Sequence, residues 1–191
     1  MPTPSRTSLT EIVSAAAGIV ESEGLDGLTM QKVASVVGVR APSLYKHVSS
    51  RAELIKLIAE ETVEELRMAL ESASRGSDHR VNLEAMARAF REFAHRRPES
   101  YRLVFAPTSD EWRQDPDVLA AAVRPVMETA GALTGSERGL EAARLVTAWA
   151  HGFVTMELAG AFRMEGDVDS AFSFGIEQIG AALASTQGPV G

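Results

Sequence analysis

The sequence predicts an all-α protein, and three observations lead to that prediction. Apolar residues recur at helical spacing along most of the chain, and no segment alternates convincingly with the period of two that a strand requires. Glycine and proline separate these periodic segments and mark the turns between helices. The 191 residues, 45% of them hydrophobic and 24% charged, are enough to bury a core without cross-links.

The composition excludes several classes of protein. The chain has no cysteine, which excludes disulfides, thiolate metal sites and cysteine nucleophiles. No apolar run approaches the roughly 18 to 20 residues that a membrane span needs. The start of the chain, MPTPSRTSLTEIV, lacks the charged and apolar regions of a signal peptide, so we expect a cytoplasmic protein.

Four helices are predicted in the first part of the chain. They run from about Leu9 to Gly24, from Thr29 to Gly38, over residues 41–48, and from Ser49 or Ser50 to about residue 73. Thr29 is a favourable N-cap, because its hydroxyl can accept a hydrogen bond from an unpaired backbone amide. Gly38 ends the second helix. Ser50 and Glu53 have the spacing of a capping box.

Five later helices and two domains complete the predicted architecture. The later helices are placed near 82–96, 98–105, 116–133, 137–163 and 169–185, the last with Asp169 as its N-cap. We expect a domain of residues 1–55 and a second domain of residues 56–191. Residues 1–56 hold six basic and five acidic residues, whereas the remainder holds 13 basic and 21 acidic. This modest asymmetry is typical of a DNA-binding domain joined to an acidic one.

The second and third helices have the arrangement of a helix-turn-helix motif. A tight turn at Gly38 joins them, and the recognition helix is expected over about residues 41–47. A helix of this kind lies in the major groove and presents its first residues to base edges. The outward residues are Arg40, Ala41, Ser43, Lys46 and His47, with Tyr45 at the edge and with Thr29 and Arg51 as further candidates for phosphate contacts. The alternative is an ordinary helical hairpin with a glycine turn and solvated basic residues.

The segment LTMQKVASVVGVRAPSLYKHVSSRAELIKLIAE, residues 28–60, resembles the N-terminal domain of the tetracycline-repressor (TetR) family of transcription regulators. The resemblance implies a homodimer that binds a palindromic operator in double-stranded DNA and is released by a small molecule. It also implies which positions contact DNA. These are Thr29, Arg40, Pro42, Ser43, Tyr45, Lys46, His47 and Arg51, whereas Ala41 offers only an apolar contact.

Residues 147–162, TAWAHGFVTMELAGAF, resemble a C-terminal domain class of this family named for a Trp-x-His-Gly signature. One helical face of this segment carries aromatic and sulfur-containing side chains that could line a small-molecule site. The candidate ligand contacts are Phe90, Phe93, Trp149, His151, Phe153 and Met156. The alternative is that these side chains are plain core and that His151 is a satisfied interior histidine.

Another face of the same segment carries small residues that let a second helix approach closely, which suggests a dimer contact. The last helix has an apolar stripe that could match it. The candidate interface residues are Gly152, Thr155, Ala159, Phe172, Ile176, Ile179 and Leu183. The resemblance implies that these two helices of each subunit form a four-helix bundle.

No pattern indicates an enzyme. The chain has no nucleophile elbow, phosphate loop or zinc-binding helix, and its four histidines are scattered, so we expect no catalytic residue, metal or cofactor. We therefore predict a ligand-responsive, homodimeric repressor. A helical small-molecule-binding or scaffold protein without DNA recognition, and an activator of the same family, remain alternatives.

Overall fold

The computed structural model describes residues 7–106 and 109–186. Within these ranges all regular structure is helical, which confirms the all-α prediction. The α-helices are α1 (Leu9–Gly27), α2 (Met30–Val37), α3 (Ala41–Leu44), α4 (Arg51–Ala73), α5 (His79–Arg96), α6 (Pro98–Phe105), α7 (Pro116–Thr134), α8 (Gly139–Leu158) and α9 (Val168–Ser185). Short 3-10 turns at Asp110–Trp112 and Ser136–Arg138 precede α7 and α8.

The helices form two compact units. The head unit comprises the described part of residues 1–63 and 97–115, and it contains α1, α2, α3, the first part of α4, and α6. The body unit comprises the described part of residues 64–96 and 116–191, with the end of α4 and helices α5, α7, α8 and α9. Helix α4 is continuous from Arg51 to Ala73, so it contributes to both units.

The head unit is organised around α1. The Ser8 hydroxyl accepts from the Glu11 amide at 3.2 Å while the Glu11 carboxylate accepts from the Ser8 amide at 2.8 Å, which forms a capping box. The buried face of α1 follows helical periodicity and consists of Ile12, Val13, Ala16, Ala17, Ile19 and Val20. Gly24 has a φ of 73°, so it kinks the chain where the sequence predicted the end of α1.

The body unit contains an aromatic cluster between α8 and α9. The Trp149 ring lies 5.7 Å from the Phe153 ring and 5.0 Å from the Phe172 ring, centroid to centroid. Phe172 is 1% exposed. A Cβ atom at Gly175 would lie only 2.3 Å from Cζ2 of Trp149. The absence of a side chain at Gly175 therefore lets the indole of Trp149 pack against α9. The cluster therefore joins α8 to α9 through close ring contacts.

Two predicted helix ends near the α8–α9 loop are wrong. Helix α8 ends at Leu158, not near residue 163, because Gly160 adopts a φ of 62° and Ala161 donates to the Met156 carbonyl at 2.9 Å. These are features of a Schellman motif. The N-cap of α9 is Asp167, not Asp169, because the Asp167 carboxylate accepts from the amide of Asp169 at 3.2 Å.

At the start of α4, Ser49 and Ser50 together make the hydrogen bonds of a capping box with Glu53. The Ser50 hydroxyl accepts from the Glu53 amide at 3.1 Å, as predicted. The Glu53 carboxylate does not return to the Ser50 amide; it accepts from the Ser49 amide at 2.6 Å and from the Ser49 hydroxyl at 2.5 Å. The hydrogen bonds from Ser49 hold the pKa of Glu53 below its usual value.

An ion-pair network joins three helices of the body unit. The Arg91 guanidinium on α5 donates to the Glu157 carboxylate of α8 through Nε at 2.8 Å, and it also pairs with Asp169 of α9 at 2.5 Å. His95 contributes a contact of 2.9 Å between its Nε2 and Glu157. The Arg91 guanidinium lies 5.0 Å from the centroid of the Phe172 ring. Hydrogen bonding by Arg91, more than that by His95, lowers the pKa of Glu157.

The lowered pKa of Glu157 gives a prediction about acid stability. A carboxyl whose pKa is lower in the folded state than its ordinary 4.5 stabilises the fold above that value, and the stabilisation is lost as the pH falls through the folded pKa. We expect wild type to be more stable than Glu157→Gln at neutral pH and the difference to shrink below about pH 4. Chemical denaturation across this pH range measures it. A stability difference that is the same at neutral and acid pH would contradict the assignment.

Candidate nucleic-acid interface

The turn between α2 and α3 depends on Gly38. Its φ of 78° and ψ of 28° lie in the left-handed region, which glycine adopts without steric cost. Val39 donates to the Ala34 carbonyl at 2.9 Å and Gly38 donates to the Ser35 carbonyl at 3.3 Å, so the turn closes the end of α2. At the other end of α2 the Thr29 hydroxyl accepts from the Lys32 amide at 3.2 Å, as predicted.

The recognition segment is only partly α-helical. The α-helix covers Ala41–Leu44, whereas residues 45–47, which the sequence placed in the same helix, continue as a hydrogen-bonded turn. His47 donates to the Leu44 carbonyl at 2.8 Å and Val48 to the same carbonyl at 3.0 Å. Leu44 and Val48 are 0% and 1% exposed, so they anchor the segment in the head core. The predicted helix 41–47 is therefore corrected to a four-residue helix and a turn.

The predicted DNA-contacting side chains lie together on the outer side of this anchored segment. Arg40, Pro42, Tyr45, Lys46 and His47 are exposed, and Tyr45 is exposed by 54% although it is a large ring. Ala41 and Ser43 are half-buried. Within the described ranges neither Arg40 nor Lys46 takes part in an ion pair. Their charges are therefore open to phosphate oxygens or guanine edges.

Two residues of the α2 region, Thr29 and Val36, are also exposed near this surface. Thr29 is exposed at the start of α2, and its hydroxyl caps the helix by accepting a hydrogen bond from the Lys32 amide. Val36, to which the sequence analysis gave no role, is 64% exposed on α2. Spacing did not predict this exposure, because residues three apart share a helix face and Val33 is buried.

Arg51 has a structural contact that spacing did not reveal. Its Nε donates to the Leu28 carbonyl at 2.8 Å and its terminal nitrogen to the Leu25 carbonyl at 2.6 Å. Arg51 is the first residue of α4, and Leu28 is the C-cap of α1. These bonds fix the start of α4 against the end of α1. The phosphate contact of Arg51 stays a prediction, and only the remaining donors of its guanidinium can serve it.

The predicted ligand residues differ in their burial and in their surroundings. Phe90 and Phe93, at 8% and 1% exposed, belong to the core of the body unit, and their contact with a ligand stays a prediction. Trp149 lies in the aromatic cluster with Phe172. Phe153 and Met156 line a largely apolar cleft of about 340 Å³ that residues 161–168 close on its other side. His151 is half-buried, and burial lowers its pKa.

The predicted dimer residues divide into two groups. Thr155 and Ala159 are exposed and Gly152 is half-buried on the outer face of α8. On α9, Phe172, Ile176 and Leu183 are buried at 1%, 0% and 6%, and Ile179 is half-buried. Three of the four α9 residues therefore pack inside the body unit, and a subunit contact for these residues stays a prediction. The outward large side chain of α9 is Phe174, which is 65% exposed.

In residues 7–106 and 109–186 no group of three or more His, Asp or Glu side chains could hold a metal ion. Nor is any helix in this part of the chain both long and apolar enough to cross a membrane.

The head geometry defines a class of protein. A capped helix, a left-handed glycine turn and an anchored segment with exposed basic and aromatic side chains form a helix-turn-helix module for DNA. Residues 12–58 match the family model described as bacterial regulatory proteins, tetR family, and residues 83–179 match the model described as tetracyclin repressor-like, C-terminal domain. The chain belongs to the TetR family, and it is a ligand-responsive DNA-binding transcription regulator. The narrower Trp-x-His-Gly class stays a prediction.

Curated relatives agree with this family. A helix-turn-helix-type transcriptional regulator of Mycobacterium tuberculosis, itself uncharacterised, is 28% identical over 184 residues, which cover 94% of this chain and 83% of the relative. The transcriptional activator FasR of Mycolicibacterium smegmatis is 29% identical over 138 residues, 70% of this chain and 62% of FasR. The class E tetracycline repressor of Escherichia coli is 38% identical over 55 residues, 29% of this chain and 26% of the repressor.

Solved structures share the fold over nearly the whole chain. A protein of unknown function from Rhodococcus sp. RHA1 aligns with a TM-score of 0.78 at 26% identity and covers 97% of this chain and 100% of its own. A TetR variant from Acinetobacter baumannii in complex with minocycline aligns with a TM-score of 0.68 at 23% identity over 96% and 99% of the two chains. At that identity the second likeness shows the fold alone.

Proposed function

We propose that the protein binds a palindromic operator as a homodimer and that a small molecule bound in its C-terminal domain releases it. The observation that carries the proposal is the exposed group of Arg40, Tyr45 and Lys46 beside the Gly38 turn. Arg40 serves a guanine edge or a phosphate, and Tyr45 and Lys46 hold the phosphate backbone. Residues 1–55 form the DNA-binding domain in this proposal, and residues 56–191 bind the effector and dimerise. The protein works in the cytoplasm without catalysis or cofactor.

A twofold dimer through α8 and α9 is part of the proposal. Thr155, Ala159 and Phe174 are exposed on these helices, which leaves an outward face of small and apolar side chains. A twofold interface uses the same face of each subunit, so two copies of α8 and α9 would pair as four helices. Such a dimer carries two recognition segments and reads two half-sites of a palindrome.

The effector acts through α4 in this proposal. The helix is continuous from Arg51 to Ala73, and Arg51 fixes its first residue to the carbonyls of Leu25 and Leu28 in the head. An effector that favours one tilt of α4 changes the placement of the recognition segments. A coupling of about 1–3 kcal/mol weakens operator binding by about five- to 150-fold. The apolar cleft beside Phe153 and Met156 is the proposed effector contact.

Repression is the proposed sign of regulation. The relatives include both an activator, FasR, and a repressor, DrrR1 of Streptomyces coeruleorubidus, which is 35% identical over 97 residues. The position of the operator relative to the promoter decides the sign, so activation is the second candidate. Both candidates require the same head contacts with DNA.

Alanine variants of the head test the proposal. On DNA that wild type selects from a random pool, we expect Lys46→Ala to bind about tenfold more weakly and to lower the slope of affinity against salt by about one ion. Tyr45→Ala should weaken binding to selected and scrambled DNA alike, because it loses a backbone contact. Fluorescence anisotropy measures both affinities, and thermal unfolding confirms that the variants fold.

Arg124→Ala is the matched control, because it removes one positive charge from an exposed side chain of α7 in the body unit. Its DNA affinity should equal that of wild type. If Tyr45→Ala and Lys46→Ala also bind DNA as wild type does, the recognition segment is not the DNA-binding surface and the scaffold alternative takes its place.

A further inference from the structure

Helix α6 begins without a cap from its own segment. Its N-cap residue is Arg97, whose side chain makes no capping hydrogen bond, and Pro98 occupies the first turn. The next two backbone amides, those of Glu99 and Ser100, are the donors that a serine, threonine, aspartate or asparagine N-cap would normally satisfy. Ser100 is 0% exposed, so water does not satisfy its amide.

Glu21 of α1 supplies the missing cap from 78 residues away. Its carboxylate accepts from the Glu99 amide at 3.2 Å and from the Ser100 amide at 2.9 Å. A negative charge at this end of a helix is also favoured by the helix dipole. Helix α6 packs against α1 within the head unit, and Tyr101 of α6 is 3% exposed. One carboxylate on α1 therefore replaces the local cap of α6.

The Glu21 contact involves a helix, α6, that sequence and packing assign to different parts of the protein. Residues 83–179 match the C-terminal family model, so α6 belongs by sequence to the domain that is proposed to bind the effector. By packing, however, α6 belongs to the head unit that holds the recognition segment. Arg51 also donates to the carbonyls of Leu25, in α1, and of Leu28, the C-cap of α1, which lie four and seven residues after Glu21. Helix α1 is thus fixed both to α4 and to α6.

We propose that Glu21 is a positioning residue that couples α6 to operator binding, independently of Arg51. The inference rests on the proposed function and adds the contact of α1 with α6 to the role already proposed for α4. DNA that fixes α1 also fixes the Glu21 carboxylate and thereby restrains the first turn of α6. Because coupling is reciprocal, a change in α6 that breaks the cap weakens operator binding by the same factor.

Hydrogen exchange with operator DNA as the probe tests the coupling without any effector. In the full-length wild type, saturating operator should slow exchange of the Glu99 and Ser100 amides by about fivefold or more. In Glu21→Gln and Glu21→Ala this DNA-dependent slowing should be lost. Asp26→Asn is the matched control, because it removes one negative charge from an exposed position of the same helix, and it should behave as wild type.

A local cap separates coupling from simple support of the helix. Arg97→Asp placed in the Glu21→Ala background gives α6 an N-cap of its own, so basal protection of the two amides should return. Their response to DNA should stay absent, because the connection to α1 is missing. If the response to DNA returned with the local cap, Glu21 would only stabilise α6 and the proposal would be overturned.

Two further outcomes are distinguishable. A wild type that binds operator tightly but shows no DNA-dependent protection of Glu99 and Ser100 would overturn the coupling and leave the proposed function intact. Slowing that persists in Glu21→Ala would overturn it in the same way, because the coupling would then take another route. A wild type that binds no selected DNA would contradict the proposed function itself.

Discussion

Phe174→Glu should convert the protein from a dimer into a monomer and lower its operator affinity by about 100-fold or more. Phe174 is 65% exposed on α9, so its replacement leaves the core of the body unit intact. In a twofold interface the substitution places a carboxylate from each subunit against the apolar face of the other subunit. A monomer binds only one half-site, and it loses the gain in affinity that comes from linking two heads in one dimer.

Light scattering after gel filtration measures the mass, and anisotropy on selected DNA measures the affinity. Met68→Glu is the control, because Met68 is 58% exposed on α4, away from the proposed face of α8 and α9 in sequence. It should remain dimeric and bind operator as wild type does. A dimeric Phe174→Glu with unchanged operator affinity would place the subunit contact on another surface.

Gly175→Ala should lower the free energy of unfolding by about 1–3 kcal/mol, although alanine is normally the better helix former. The added Cβ atom would lie 2.3 Å from Cζ2 of Trp149 and 3.0 Å from its Cε2. The indole has little room to withdraw, because Phe153 and Phe172 lie against it. Chemical denaturation measures the loss, and Trp149 fluorescence reports the displacement of the ring.

Gly18→Ala is the matched control for this variant. Gly18 also lies inside a helix, α1, and among the described residues a Cβ atom there would meet nothing within 4 Å apart from its chain neighbours and the backbone of its own helix. The same substitution should therefore raise stability by about 0.5–1 kcal/mol. Equal effects of the two variants, in either direction, would show that the Trp149 contact does not limit the packing of α9.

The sequence predicted the recognition head well because its structure depends on local chemistry. Thr29 caps α2 and Gly38 ends it in the left-handed conformation, and both roles follow from residue type and spacing. Leu44 is buried while Tyr45 and Lys46 are exposed, as the helical pattern predicts. The shortness of α3 was not predictable, because the turn at 45–47 keeps nearly the same alternation of buried and exposed positions.

The body was predicted less well because an apolar stripe does not name its partner. Phe172 and Ile176 form a stripe that could face either a second subunit or the core, and the structure places them in the core. Phe174 lies between them in sequence and points outward, so α9 also carries a large apolar side chain on its exposed side. Likewise Asp167 and Asp169 both suit an N-cap, and only the backbone geometry distinguishes them.

The spacing of residues along the sequence could not predict the long-range hydrogen bonds. The capping of α6 by Glu21 joins residues 78 positions apart, and the Arg51 bonds join residues 23 and 26 positions apart. Nothing in the local sequence of α6 shows where its cap comes from. The missing N-cap side chain before Pro98 was the only available signal, and it indicates a need without indicating the donor.

Competition between a selected palindrome and scrambled DNA tests the central claim most directly. The protein is offered both at about physiological salt, and the two affinities are then followed as salt is raised. Sequence-specific recognition by paired heads predicts an affinity ratio of about 10³ or more, with both affinities falling steeply as salt increases. Equal affinities for the two DNAs at every salt concentration would contradict the assignment of residues 40–47 as a sequence-reading surface.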